Sequence, residues 1–182
     1  MKSNKTLDLN GVKIPLQRTV VYGGAGTGKS TLLQLLKYQL QQNHIDVVYL
    51  KGLERIDGLL VADGDDLKNK IANEFKSRSF RDYKESKVII IDHIDHLLSH
   101  DFDFKVIDAL LSDDAVEYGV IGIVASQTLL HSELFSKIGV SLNGNQIKML
   151  NNYDGDYTAE IKTFVKLGWT RKVINRPVLN NY

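Results

Sequence analysis

Cysteine is absent from this 182-residue chain, which excludes disulfides, thiolate zinc sites and cysteine nucleophiles and agrees with a reducing cytoplasm. An excess of either charge is missing too. With 23 basic and 22 acidic residues the formal net charge is +1, so no global field draws the chain to nucleic acid or an anionic membrane, and any such contact has to be local. Long hydrophobic runs are lacking: the longest cover a few residues, against the roughly 20 needed to cross a bilayer. Residues 1–6, Met-Lys-Ser-Asn-Lys-Thr, do not contain the apolar stretch of a signal peptide. The expectation is a soluble cytoplasmic protein, peripheral to a membrane only through a partner. No internal repeat, low-complexity segment or linker divides the sequence, and 43% hydrophobic residues are enough for one core, so a single domain over residues 1–182 is expected.

What is present in full is a glycine-rich turn between a β-branched run and an amphipathic helix, the stretch TVVYGGAGTGKST at residues 19–31. The spacing G-x-x-x-x-G-K-S is met by Gly23, Gly28, Lys29 and Ser30, and four of the six residues from 23 to 28 are glycine. Backbone N–H groups can then wrap closely round phosphate oxygens. Gly23, Gly24, Ala25, Gly26, Thr27, Gly28, Lys29, Ser30 and Thr31 are therefore the candidate nucleotide-binding residues. Lys29 is expected to reach the β and γ phosphates of ATP, and the Ser30 hydroxyl to ligate Mg²⁺, with the helix N-terminus adding its unpaired N–H groups.

Upstream, Leu7, Leu9, Val12 and Ile14 surround Asn10-Gly11, a two-residue hairpin signal, and Pro15 ends the second strand. Downstream, a helix over about 28–42 and a strand over 46–50 complete a β-α-β unit, hence parallel strands and an α/β class. Residues 52–60 predict a loop or short helix, in which Glu54 and Arg55 are charged candidates for site contacts. A helix over about 65–78 has Leu67, Ile71, Ala72 and Phe75 at helical spacing, with Asp65 or Asp66 as its cap. The run KVIII at 87–91 reads as a central strand covered on both faces. Asp92 at its end is placed to hold Mg²⁺ or its water shell beside the phosphates. His93 and Asp95 are the alternatives for orienting and deprotonating an attacking water, a third being that neither does so. His96 and His100 share a helical face compatible with zinc, but spacing supplies no third ligand.

A helix over 103–116 should bury Phe104, Ile107, Leu110 and Leu111 and present an acidic outer face, since residues 101–117 contain six acidic residues and one lysine. The strand ending at Ser126 and Gln127 brings that polar pair to the edge carrying Lys29 and Asp92, where Gln127 can hydrogen-bond the γ phosphate or the water. A short helix is expected from about 128 to 138, with Leu130, Leu134 and Phe135 inward, then strands over 145–150 and 160–167. The tail from Trp169, with five basic residues and one acidic between Glu160 and Tyr182, reads as a basic patch facing solvent, a neighbouring subunit or a nucleic-acid backbone. No N-K-x-D base-reading sequence is present, so GTP has little support.

The order of phosphate loop, acidic-ended strand and glutamine-ended strand resembles the RecA-like P-loop ATPases. Within them, VIIID and GVIGIVASQ look most like the FtsK/SpoIIIE–HerA group, which includes the ATPase modules of type VII secretion motors. The likeness covers about residues 19–127. It implies a three-layer P-loop NTPase with a central, mostly parallel sheet, here preceded by a small N-terminal β-hairpin. It also implies a homo-oligomer or a neighbouring ATPase domain as partner, commonly in a hexameric ring, with an arginine supplied across the boundary and DNA or a secreted protein as cargo. No motif assigns that arginine, and Arg55, Arg78, Arg171 and Arg176 are candidates. His93 stands where active members have glutamate, which puts rapid hydrolysis in doubt and suits a degenerate module. The expected function is thus an ATP-binding, weakly or conditionally hydrolysing motor domain, with a nucleotide-binding adaptor and a small-molecule kinase as alternatives.

Overall fold

The computed structural model describes residues 5–76, 80, 87–98, 101–127, 143–151, 157–165 and 168–174. The chain opens with the hairpin β1 (Thr6–Leu9) and β2 (Val12–Pro15), in which Asn10 and Gly11 both take positive φ, 54° and 84°. That is the backbone of a type I′ turn. β3 (Thr19–Tyr22) then leads through the glycine-rich turn to α1 (Lys29–Gln42), and β4 (Asp46–Leu50) follows. β5 (Leu53–Ile56) and β6 (Leu59–Ala62) form a second, separate hairpin ahead of α2 (Gly64–Phe75). Next come β7 (Lys87–Ile91), a 3₁₀ turn at Ile94–Leu97, α3 (Lys105–Leu110), α4 (Asp113–Glu117) and β8 (Val120–Ser126). β9 (Gly144–Asn151), β10 (Tyr157–Val165) and β11 (Gly168–Ile174) complete the described chain.

Seven strands make the central sheet in the order β11-β10-β9-β3-β8-β7-β4. From β9 to β4 all pairs are parallel, and β10 and β11 extend the sheet as an antiparallel meander. Because side chains alternate along a strand, each central strand feeds two cores. Val21, Val88, Ile90, Ile123 and Ala125 pack on one face with Leu32, Leu33, Leu36 and Leu40 of α1 and Leu7, Leu9 and Ile14 of the first hairpin. Val20, Ile89, Ile91 and Val124 pack on the other with Leu67, Ile71, Leu97, Ile107 and Leu110. Burying each such side chain contributes about 1.5–3 kcal/mol, so the faces are fixed by sequence alternation. The result is a three-layer α/β fold of the RecA-like P-loop kind.

Several local expectations are corrected. Residues 52–60 are not a loop or short helix: Asp57 and Gly58 take φ of 49° and 83° and turn a hairpin like that at Asn10-Gly11. The cap of α2 is Asp63, whose carboxylate accepts from the Asp65 N–H at 2.9 Å. Asp66 instead accepts from Leu53 N–H and pairs with Lys70. The 103–116 helix is divided at Leu111-Ser112, where Ser112 caps α4. The basic stretch from 168 to 174 is a strand, with Arg171 paired to Glu160 of β10 and Lys172 donating to Lys13 O. The helix expected at 128–138, with Leu130, Leu134 and Phe135, lies outside the described residues, as do Arg78, His100, Arg176, Tyr182 and the Trp169 side chain.

Candidate nucleotide site

Parallel pairing brings the C-terminal ends of β3, β8, β7 and β4 to one edge, with Tyr22 opposite Ser126, Val124 opposite Ile91, and Ile91 opposite Leu50. The residues that follow, Gly23, Gln127, Asp92 and Lys51, therefore crowd where open α/β sheets bind ligands. Gly23 leaves β3 at φ 151°, and a Cβ there would stand 2.4 Å from Met149 O of β9, so the turn passes too close to its neighbour for any side chain. Gly26 and Gly28 take φ of 73° and 86°. Thr27 closes the loop from within, donating its hydroxyl to Gly24 O at 2.8 Å. Gly24, Ala25 and Gly26 are exposed at the rim, and Thr31 is exposed on the first turn of α1.

Lys29 is buried and donates to Gly23 O and Gly24 O, both at 2.7 Å, so its ammonium lies inside the loop. Burial pushes its pKa down from the usual lysine value, with the charges of Asp95 and Asp92 opposing. Asp92 is fully buried. Its Oδ2 accepts from the Tyr49 hydroxyl at 2.8 Å and lies 3.7 Å from Lys51 Nζ, while Oδ1 is buried without a hydrogen-bond partner. Tyr49 is raised far above its ordinary pKa, first by burial and then by the Asp92 charge, so it remains a donor. His93 takes a left-handed backbone, φ 56° and ψ 48°, which turns Nε2 to within 3.1 Å of Ser30 Oγ and 3.8 Å of Asp92 Oδ1. Burial lowers its pKa, against the pull of Asp92 and with Lys51, His96 and Lys29 adding, so the ring is held neutral.

Asp95 stands on the β8 side. Its Oδ1 accepts from the Ser126 hydroxyl and, at 2.7 Å, from the Gln127 N–H, and its Oδ2 is buried without a partner. Gln127 itself is exposed and meets Asp95 through its backbone. The sequence candidates thus divide into the glycine-rich turn, a Ser30–His93–Asp92 group and an Asp95–Ser126–Gln127 group on one edge. Glu54 and Arg55 lie exposed on β5, in the second hairpin. Among the described residues no three His, Cys, Asp or Glu side chains form a metal-holding group, and His96 meets His93 edge to face at 5.3 Å.

The ATPase family associated with various cellular activities (AAA) matches residues 19–143, well over half of the chain. The chain belongs to the AAA family. Membership carries ATP binding in general with it. No curated protein matches the sequence. Among solved structures, the AAA-family fold here is similar to the flagellar accessory protein FlaH of Methanocaldococcus jannaschii, at 20% identity and TM-score 0.53, over 82% of this chain and 78% of that one. It is similar to the genome-packaging NTPase B204 of Sulfolobus turreted icosahedral virus 2, solved with ATP-gammaS, at 17% identity and TM-score 0.60, over 91% and 100%. The cytoplasmic domain of the type VII secretion ATPase EccC of Thermomonospora curvata matches at 14% identity and TM-score 0.60, over 91% of this chain but 24% of that one. At these identities the likeness is one of fold.

Tyr49 and Lys51 were not legible as site residues in this AAA-family sequence. Tyr49 reads as one of the apolar positions of β4, and Lys51 as the first residue of a loop. The available signal was the strand alternation, which puts Tyr49 on the α1 face with Val47, and the parallel pairing of β4 with β7, which puts Lys51 beside Asp92.

Proposed function

We propose that this AAA-family domain, a single unit over residues 1–182, is the ATP-binding and conditionally ATP-hydrolysing module of an oligomeric motor that moves DNA or protein. One observation carries the reading: the buried Asp92 and the half-buried Asp95 each keep one buried oxygen without a partner on the strand-end edge that also carries Lys29 and Ser30. Buried acceptors of this kind are costly unless something binds there. A hydrated Mg²⁺ with a triphosphate fits this need: Ser30 Oγ and Asp92 Oδ1 are the oxygen donors such an ion takes. When bound, the ion neutralises charge developing on the phosphates.

Lys29 then moves its ammonium from the Gly23 and Gly24 carbonyls to the β and γ phosphates, and the loop N–H groups hold the chain of phosphates in place. Asp95 is the general base. Ser126 and the Gln127 N–H fix one of its oxygens, leaving Oδ2 to take a proton from water as the water oxygen bonds to the γ phosphorus and the bond to the β-phosphate oxygen breaks. His93 faces Ser30 and Asp92 instead, so the base role falls to Asp95. The translocase type is supported by the VIIID and GVIGIVASQ segments together with the folds of EccC and B204, and self-association follows from that type.

Equilibrium binding of labelled ATP tests the nucleotide assignment: Lys29→Ala is expected to abolish it, and equal affinity in both chains overturns it. Phosphate release measured across protein concentrations tests the motor. Specific turnover rising with concentration is expected of a site shared between copies. Tight binding with no turnover at any concentration would make the domain an adaptor, a reading favoured by histidine at position 93.

A further inference from the structure

We propose that the cation of the bound nucleotide is held by three side chains, His93 Nε2 joining Ser30 Oγ and Asp92 Oδ1, and that the site consequently favours manganese-class ions over magnesium. The inference rests on the nucleotide reading above and deepens it by naming a ligand and a cation class.

One distance is that of adjacent ligands on a shared ion, and a second lies within an ångström of it. Octahedral ligands at about 2.1 Å from a small divalent cation lie about 3 Å from one another when adjacent. Ser30 Oγ and His93 Nε2 are 3.1 Å apart. His93 Nε2 and Asp92 Oδ1 are 3.8 Å apart, too far for a hydrogen bond yet within the reach of a common centre. A Ser30–His93 hydrogen bond alone explains the first contact but leaves Asp92 Oδ1 buried with no partner. A cation between the three supplies that partner.

The backbone points the same way. His93 is held in the left-handed region at φ 56°, a conformation that costs a side-chain-bearing residue about 1 kcal/mol or more and persists where the surroundings over-determine it. Here it swings the imidazole off the line of β7 and over Ser30. The Tyr49 hydroxyl and Lys51 meanwhile engage Asp92 through Oδ2, so Oδ1 is the oxygen left for the ion. One hydroxyl, one imidazole and one carboxylate are too few for an independent metal centre, so phosphate and water oxygens complete the shell. Imidazole nitrogen suits later first-row ions better than magnesium, which prefers oxygen throughout, and affinity for a nitrogen-bearing site rises from Mn²⁺ toward Co²⁺.

The test uses the full chain, labelled with ¹⁵N-histidine or unlabelled, with Mn²⁺ and the β,γ-methylene analogue of ATP. Pulsed electron paramagnetic resonance is expected to show a directly bonded nitrogen whose coupling changes with the label. His93→Asn, which tolerates the left-handed backbone, is expected to lose that coupling, and the Mn²⁺-over-Mg²⁺ preference measured by competition is expected to fall to that of the nucleotide alone. Mn²⁺ bound with the nucleotide but without nitrogen coupling overturns the proposal, as does a coupling that persists in His93→Asn. Lys29-dependent nucleotide binding, read in the same samples by a fluorescent analogue, separates that result from failure of the nucleotide reading, which would remove both.

Discussion

Asp95 and His93, two residues apart, are turned to different partners. Asp95 has one oxygen anchored by Ser126 and the Gln127 N–H and one left over, whereas the His93 ring is turned onto Ser30. In the proposed mechanism Asp95→Asn keeps the anchor and removes the base. Phosphate release should fall by about 10²–10⁴-fold while labelled-ATP affinity stays close to wild type, and an unchanged rate would move the base elsewhere. His93 also couples stability to pH. Its folded pKa is lowered by burial, opposed by Asp92 and reinforced by Lys51, His96 and Lys29, so the unfolded chain binds the proton more readily. Stability should be full above about pH 7 and decline as pH falls through about 6.5, the ordinary imidazole range. Urea midpoints compared across that range should show a larger fall for wild type than for His93→Asn. The strand–turn–helix at residues 19–42 was legible because the glycine spacing from Gly23 to Gly28 and the apolar runs on either side mark it, and β3 ends at Tyr22 and α1 begins at Lys29 accordingly. The His93 orientation was not, since nothing in the sequence announces a left-handed backbone at a histidine.

Helices and strands with one clear period are where sequence and structure agree most closely. α1 ends at Gln42 and β4 occupies Asp46–Leu50, as their apolar spacing indicates. Agreement fails where a short signal competes with a longer pattern. Asp57-Gly58 is as strong a hairpin signal as Asn10-Gly11, but its flanks are not buried: Leu59 and Leu60 are exposed, so no alternation marks the strands. Phe104, Ile107, Leu110 and Leu111 suggest one helix, yet Ser112 can cap a new one and does. The packing of α3 on β8 depends on Gly122, where a Cβ would stand 2.6 Å from Leu110 Cγ and 2.9 Å from Leu110 O. Gly122→Ala should therefore destabilise the domain by about 1–3 kcal/mol in urea unfolding, because the Leu110 carbonyl cannot move without shifting the helix. No loss would mean that α3 adjusts freely.

At the scale of the molecule, the sheet joins two styles of construction. The strands from β4 to β9 are parallel, and β10 and β11 pair with their sequence neighbours. The parallel class was legible from the β-α-β spacing. The outermost strand was not, because Gly168–Ile174 is rich in basic and polar residues and exposed along its described side chains, as suits an edge where charge discourages pairing with another chain. Among the described residues no helix is long and apolar enough to cross a membrane.

The close approach of the turn at Gly23 to Met149 O of β9 predicts an order of events during synthesis. β3 is flanked by β8 and β9, whose paired residues follow more than a hundred positions later in the chain, and the floor of the phosphate loop is the backbone of β9 itself. Contacts that distant form late. A nascent chain that has exposed the whole motif, Asp92 and Asp95 still has an unsupported turn. Chains ending before residue 144 should consequently fail to retain labelled ATP although they contain every candidate residue from Gly23 to Gln127, and retention by such a chain would show that the loop assembles without β9. On the proposed nucleotide assignment, ATP capture is expected to mark the completion of folding, with stalled or truncated copies unable to compete for nucleotide with finished ones.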